Sequence, residues 1–201
     1  MPPKWDERYA ADEFFYGTEP NDFLVEHEHR LVRGAAVLCL GEGEGRNAAF
    51  LAGHGHRVLA LDQSPVGLAK ARRLAASRGL SIDTLAIDLA DYHVAPDQWD
   101  GIVSIWCHLP SALRARVHHE VAAGLRPGGV LLLEAYTPAQ LRFATGGPKD
   151  PDLMPTLAQL RAELPELGFE YALERERNVH EGAGHGGPSA VVQLVARRPG
   201  G

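Results

Sequence analysis

Cysteine is scarce in this chain: Cys39 and Cys107 are the two among 201 residues, too few for a disulfide framework, and they sit within or just after apolar runs, where reduced, packed thiols are common. Basic blocks are missing too. Lys and Arg total 20 against 26 Asp and Glu, a formal net charge of -6; without a basic stripe the surface is unsuited to a phosphate backbone, so no nucleic acid is expected as a partner. No apolar run approaches the ~20 residues that cross a bilayer, and the opening Met1-Pro2-Pro3-Lys4-Trp5-Asp6-Glu7-Arg8 lacks the apolar core of a secretion signal. A cytoplasmic protein without membrane association is the expectation, as monomer or homodimer. Histidines occur in pairs (His54/His56, His118/His119, His180/His185), but none has a full ligand set at recognised spacing, and no metal is expected.

What is present suffices for a core. With 45% hydrophobic residues, residues 1–201 are expected to form one domain, 1–33 as a helical cover and 34–201 as the core. The centre of the pattern is Val37-Leu38-Cys39-Leu40-Gly41-Glu42-Gly43-Glu44-Gly45-Arg46-Asn47. An apolar run of the kind that makes a doubly buried strand ends in a glycine turn, and a helical pattern follows at once. Gly41 and Gly43 let a ligand approach the main chain, and the helix opening near Arg46 offers free N–H groups to an anion. A dinucleotide fingerprint wants Gly-x-Gly-x-x-Gly, and its third glycine falls here on Arg46. Glu42 and Glu44 are expected to put two carboxylates where a pyrophosphate would lie, which disfavours NAD. S-adenosylmethionine, with its ammonium and sulfonium, suits an acidic loop better, and its carboxylate has Arg46 or the helix N-terminus to go to.

Further strands follow, and acids stand at their tips. The run 56–61 precedes Asp62-Gln63, placed where ribose hydroxyls are held; Ser64-Pro65 already supplies an N-cap and first-turn proline, which frees Asp62 for a ligand. The run 81–87 precedes Asp88-Leu89, an acid for an exocyclic amino group and an apolar face for a purine, or else a plain turn. A fourth run, 101–105, ends at Ile105 and leads into Trp106-Cys107-His108. In open α/β sheets ligands bind outside the carboxyl ends of the strands, which puts His108 over the reacting centre, as a base or as packing. A fifth strand at 130–135, a long mobile or partly helical cover at 136–155, and two strand-like runs, 169–177 and 189–197, joined by a glycine-rich loop, close the chain as a hairpin. Six of the fourteen aromatics lie in 4–33; Tyr16 is expected near the ligand.

These residues resemble a class I S-adenosylmethionine-dependent methyltransferase, and within it the bacterial tellurite-resistance and thiopurine-type small-molecule enzymes. The likeness runs from Trp5-Asp6-Glu7-Arg8-Tyr9 and Tyr16-Gly17-Thr18-Glu19-Pro20 through the glycine loop with Arg46-Asn47 to the hairpin. It implies an α/β Rossmann-like, mostly parallel seven-stranded sheet in the order 3-2-1-4-5-7-6, last strand antiparallel, with helices on both faces. It further implies that Gly41, Glu42, Gly43, Gly45 and Arg46 hold the methionine end of the cofactor, Asp62 and Gln63 the ribose, and Asp88 and Leu89 the adenine, with Ile105 a further cofactor contact. Tyr16, Trp106 and His108 would then face a small-molecule acceptor, a thiol or a chalcogen oxyanion. The acid usual in the first strand of that family is Cys39 here. Two rivals share the pattern: an NAD(P)-dependent oxidoreductase and a non-catalytic S-adenosylmethionine-binding protein.

Overall fold

The computed structural model describes residues 4–200. Helices α1 (Lys4–Tyr9) and α2 (Asp22–His27) precede an alternation of β1 (Ala36–Leu40), α3 (Arg46–Gly53), β2 (Arg57–Asp62), α4 (Pro65–Ser77), β3 (Asp83–Ala86), β4 (Trp99–Ile105), α5 (Ser111–Gly124) and β5 (Leu125–Tyr136). Helix α6 (Leu157–Glu163) and the strands β6 (Gly168–Glu181) and β7 (His185–Arg197) complete the chain. The strands form one sheet in the order β3-β2-β1-β4-β5-β7-β6. The first five pair in parallel, and β7 runs antiparallel between β5 and β6.

The apolar runs become central strands because both faces of each are covered, and alternate side chains point to opposite faces. Leu38 and Leu40 pack with Ile102, Leu131, Val117 and Val121 on the α5 side. Val37 and Cys39 pack with Val103, Leu132, Leu51 and Leu68 on the α3–α4 side. Helices α4 and α2 start on side-chain caps: Ser64 accepts from Gly67 N ahead of Pro65, and Asn21 accepts from Leu24 N. Thr156 and Gln159 form a reciprocal capping box on α6.

The differences from expectation are local. Within the expected helical cover of 1–33, α2 stops at His27 and tightens into a 3₁₀ turn, Glu28–Arg30. The third strand is Asp83–Ala86, shorter than 81–87, so Asp88 lies beyond its end. The fifth strand, expected at 130–135, starts at Leu125; Trp99 pairs Leu125 and the register shifts before Gly101 pairs Val130. The cover at 136–155 carries two 3₁₀ turns, Pro138–Arg142 and Pro151–Leu153. The hairpin is longer than its apolar runs, and pairing continues to Glu181↔His185. Its tip is 182–184, and His185 is buried, not part of an open loop.

Candidate active site

The loop between β1 and α3 is held open for backbone contact by its own hydrogen bonds. Gly41 and Gly43 both take positive φ, +61° and +60°, a conformation glycine adopts at no steric cost. Glu42 N donates to Leu61 O at 2.9 Å, and Gly43 N and Ser64 N each donate to one oxygen of Asp62 at 2.8 Å. Asp62 thus ties the glycine loop to the tip of β2 and to the start of α4. It is 8% exposed; burial pushes its carboxyl upward, opposed by the two N–H donors. Each oxygen accepts one N–H, which leaves acceptor capacity on both for a pair of hydroxyls. The glycine main chain at Gly41 and Gly43, beside this carboxylate, fits an adenosyl cofactor.

The two loop acids are both engaged by groups within the protein. The Glu42 carboxylate turns under the loop and accepts from Ala48 N at 2.8 Å, capping the N-terminus of α3, where a negative charge is favoured. Glu44 is buried, 2.5 Å from Lys70 Nζ on α4, and accepts from Tyr16 N at 3.2 Å. The charge argument against a pyrophosphate therefore has no geometric basis here, and Glu42 is not placed to hold an ammonium. Cys39, in the position of the usual acid, lies in the core with its thiol pushed up by burial and by Glu42. Gly45 is also turned away: a Cβ on it would lie 2.4 Å from the Ala71 Cβ, so its role is close packing of α3 on α4. Arg46 pairs with Glu181 at 2.5 Å and donates to Glu19 O at 3.3 Å, so its charge is already matched.

Burial pushes the Glu42 carboxyl up to about 7. A carboxyl with a raised folded pKa contributes stability below its unfolded value and loses it as pH rises through the folded one. Between pH 4.5 and 7 this amounts to roughly 3 kcal/mol. Glu42→Gln keeps an acceptor for Ala48 N without the titration. In urea unfolding, the variant gains on the wild type as pH rises from 5 to 8; a constant difference would contradict this.

The N-terminal segment closes over the loop. The Tyr9 hydroxyl sits 2.7 Å from where a Gly43 Cβ would be, and Tyr9 is 5% exposed. Helix α4 holds this segment by its carbonyls: Lys70 Nζ donates to Ala11 O and Glu13 O at 2.9 and 2.6 Å, and Arg78 donates to Thr18 O at 2.8 Å. The Asp6 carboxylate accepts from Ser64 Oγ. Tyr16 stacks on His185 with ring centroids 4.7 Å apart and accepts from Arg8 at 2.9 Å.

From the end of β4, Trp106 (φ +57°) stacks on Tyr136 at 4.4 Å and on His185 at 5.0 Å. Its indole N–H donates to Glu181 at 2.6 Å. The Cys107 sulfur lies 3.1 Å from the Cβ position of Gly41; burial first, then the charge of Asp62, pushes its thiol up to about 12, which makes it a packing group. His108 Nδ1 lies 3.1 Å from Leu153 O. A carbonyl only accepts, so Nδ1 carries the proton and Nε2 is the bare nitrogen. Nε2 is buried without a partner among the described residues, and burial lowers the imidazole to about 4. The ring lies parallel to Tyr136, centroids 5.6 Å apart.

Other expected contacts are placed less directly. Gln63 and Asp88 are exposed, and Asp88 accepts from Ala90 N at 2.8 Å, as a turn residue does. The Leu89 and Ile105 side chains are 7% and 5% exposed and pack into the two core layers. The sequence does not single out Glu181, Glu134, Asn21 or Tyr136, and it offers His185 only as one of a histidine pair. Asn21 Nδ2 donates to Glu134 at 2.6 Å and to Glu181 at 2.7 Å, and Glu134 also pairs with Arg177 at 2.9 Å. Burial pushes the Glu134 carboxyl upward, against the opposing charge of Arg177. Among the described residues, no cluster of three or more His, Cys, Asp or Glu is placed to hold a metal, and no helix is long and apolar enough to cross a membrane.

Comparison with known proteins decides the class. Residues 37–129, from β1 into β5, match the family model described as a methyltransferase domain. The stretch from β1 into β5 thus matches a methyltransferase domain. The match speaks for a methyltransferase and against the oxidoreductase. No curated protein matches the chain. Among solved structures, it is similar to one from work on the conversion of a disulfide bond into a thioacetal group during echinomycin biosynthesis (22% identity, 97% of this chain and 91% of that one, TM-score 0.74). It is similar also to TehB from Haemophilus influenzae (19% identity, 96% and 65%, TM-score 0.70). A third is the N-methyltransferase NodS from Bradyrhizobium japonicum WM9 in complex with S-adenosyl-l-homocysteine (18% identity, 97% and 96%, TM-score 0.68). At these identities the likeness is one of fold.

Proposed function

We propose that the chain is a small-molecule methyltransferase in which Asp62 and the Gly41–Gly43 backbone hold the cofactor and His108 Nε2 takes a proton from the acceptor. Residues 1–201 act as one domain, with 1–33 as the cover. It works in the cytoplasm as monomer or homodimer, without nucleic acid or membrane. S-adenosylmethionine supplies an electrophilic methyl group on a sulfonium. Asp62 offers its remaining lone pairs to the ribose hydroxyls, and Tyr9 with the segment behind it keeps water from the glycine loop. Methyl transfer needs alignment and dryness more than acid–base machinery. The acceptor sits by Trp106, Tyr16 and His108, and is a thiol or a chalcogen oxyanion.

The observation that carries this reading is the bare, buried Nε2 of His108, which has no internal partner. A thiol acceptor uses it: the acceptor sulfur forms the new S–C bond, its proton passes to Nε2, and the electron pair of the broken S–C bond stays on the cofactor sulfur. An oxyanion brings no proton and needs no base. His108→Gln therefore separates the two. With a thiol, kcat falls by about 10²-fold, within the usual range for a lost general base; with tellurite or selenite it is unchanged. Since burial holds His108 near 4, it is neutral throughout the working range, and the wild-type rate shows no acid limb between pH 6 and 7. An acid limb there that vanishes in His108→Gln would contradict this placement of the proton. Equal rates for wild type and variant with every proton-bearing acceptor would remove His108 from the chemistry.

A further inference from the structure

We infer that Glu181, at the end of β6, is a positioning residue for the acceptor side of the methyl-transfer site, acting through Trp106; this rests on the placement of the acceptor beside Trp106 and His108. Three elements distant in sequence meet on this one carboxylate. Its Oε2 accepts from the Trp106 indole N–H at 2.6 Å and from Arg46 at 2.5 Å, and its Oε1 accepts from Asn21 Nδ2 at 2.7 Å. Glu181 is 6% exposed, so these bonds are made with little water, where charge-assisted hydrogen bonds are strong and an unpaired donor is costly.

Trp106 needs such a hold. Its backbone is left-handed at φ +57°, a strained position for a bulky side chain that persists only where the surroundings over-determine it. Trp106 N donates to Glu134 O at 2.9 Å, the ring stacks on both Tyr136 and His185, and the indole N–H is fixed by Glu181. His108 follows two residues later in the same loop, so the orientation of Trp106 sets the path of the chain that carries Nε2. The hairpin tip that bears Glu181 is itself docked: Ala183 N donates to Phe15 O at 2.8 Å, and a Cβ on Gly182 would lie 2.4 Å from Phe15 O. The same carboxylate reaches Arg46, the first residue of α3 behind the cofactor loop. Glu181 thus links cover, hairpin, cofactor loop and acceptor loop without itself reaching a reactant.

Glu181→Gln tests this, because an amide cannot accept from all three donors at once. The readouts are the Trp106 indole N–H in a ¹⁵N spectrum, assigned by its absence from Trp106→Phe, together with S-adenosylhomocysteine affinity and acceptor kinetics. We expect the indole N–H to lose its protection from exchange. Acceptor kcat/KM should fall at least about tenfold while cofactor affinity holds within about twofold, since a small misplacement of a reacting group costs that much or more. Trp106→Phe should reproduce the kinetic loss, and the double variant should add little to either, as coupled residues do; it also keeps the test alive if Glu181→Gln folds poorly. Unchanged acceptor kinetics in Glu181→Gln, or additive losses in the double variant, would overturn the inference while an active wild type left the acceptor reading standing. A wild type that binds cofactor but methylates no acceptor would overturn both.

Discussion

Asp62→Ala is expected to weaken S-adenosylhomocysteine binding by about 10²-fold or more, the loss of two charge-assisted hydrogen bonds at about 1.5–3 kcal/mol each. The carboxylate is buried at the tip of β2 with one backbone N–H on each oxygen, so it is pre-placed and needs no reorganisation to receive a pair of hydroxyls. The substitution also strips partners from Gly43 N and Ser64 N, which costs about 1–3 kcal/mol of folding stability for a buried unpaired donor. The two effects separate experimentally. Titration calorimetry on folded protein reads the first and urea unfolding the second, and Asp62→Asn, which keeps an acceptor for one N–H, should recover stability more than affinity. Full affinity in a folded Asp62→Ala would take the ribose away from β2.

Gly45→Ala should be the most destabilising single methyl in the glycine loop. Gly45 holds φ +87°, where an alanine costs about 1–3 kcal/mol. Its new Cβ would also meet Ala71 Cβ at 2.4 Å and Ala71 Cα at 2.5 Å. The second atom is helix backbone, so α3 and α4 must part, and overpacking of this kind adds about 1–3 kcal/mol. A combined loss of about 4 kcal/mol is a large share of the 5–15 kcal/mol that a domain has. Gly55 is the matched control. It has a similar φ of +84° with nothing within 4 Å of its Cβ position, so Gly55→Ala pays strain alone. Equal losses at the two sites would mean that the α3–α4 contact carries no weight.

The difference between Gly45 and its neighbours shows where the sequence stops being legible. The apolar runs at 36–40 and 101–105 could only be buried strands, and alternation of coverage on their two faces follows from that. An acid at the end of β2 and a glycine turn after β1 likewise give themselves away by position. The facing of Glu42 and Glu44 does not: both carry charge, yet one caps α3 and the other pairs with Lys70, partners that spacing alone cannot choose. The same holds for Asn21, Glu134 and Glu181, which are 113 and 160 residues apart along the chain where they bond. A strand written Glu-Arg-Glu-Arg reads as solvated, and only the folded sheet shows that its Arg177 and Glu181 turn inward. The single sequence signal for them was the length of the hairpin: side chains at 179, 181 and 185 continue the two-residue alternation past the last apolar run, and all three are buried.

A crystal structure of the methyltransferase grown with S-adenosylhomocysteine tests the account most directly. It should place the ribose hydroxyls on Asp62, the homocysteine backbone along Gly41–Gly43, and the cofactor sulfur on the side facing Trp106 and His108, with Glu42 still capping α3. A ligand bound away from the carboxyl ends of β1 and β2, or held by Glu42 and Glu44 turned outward, would contradict it.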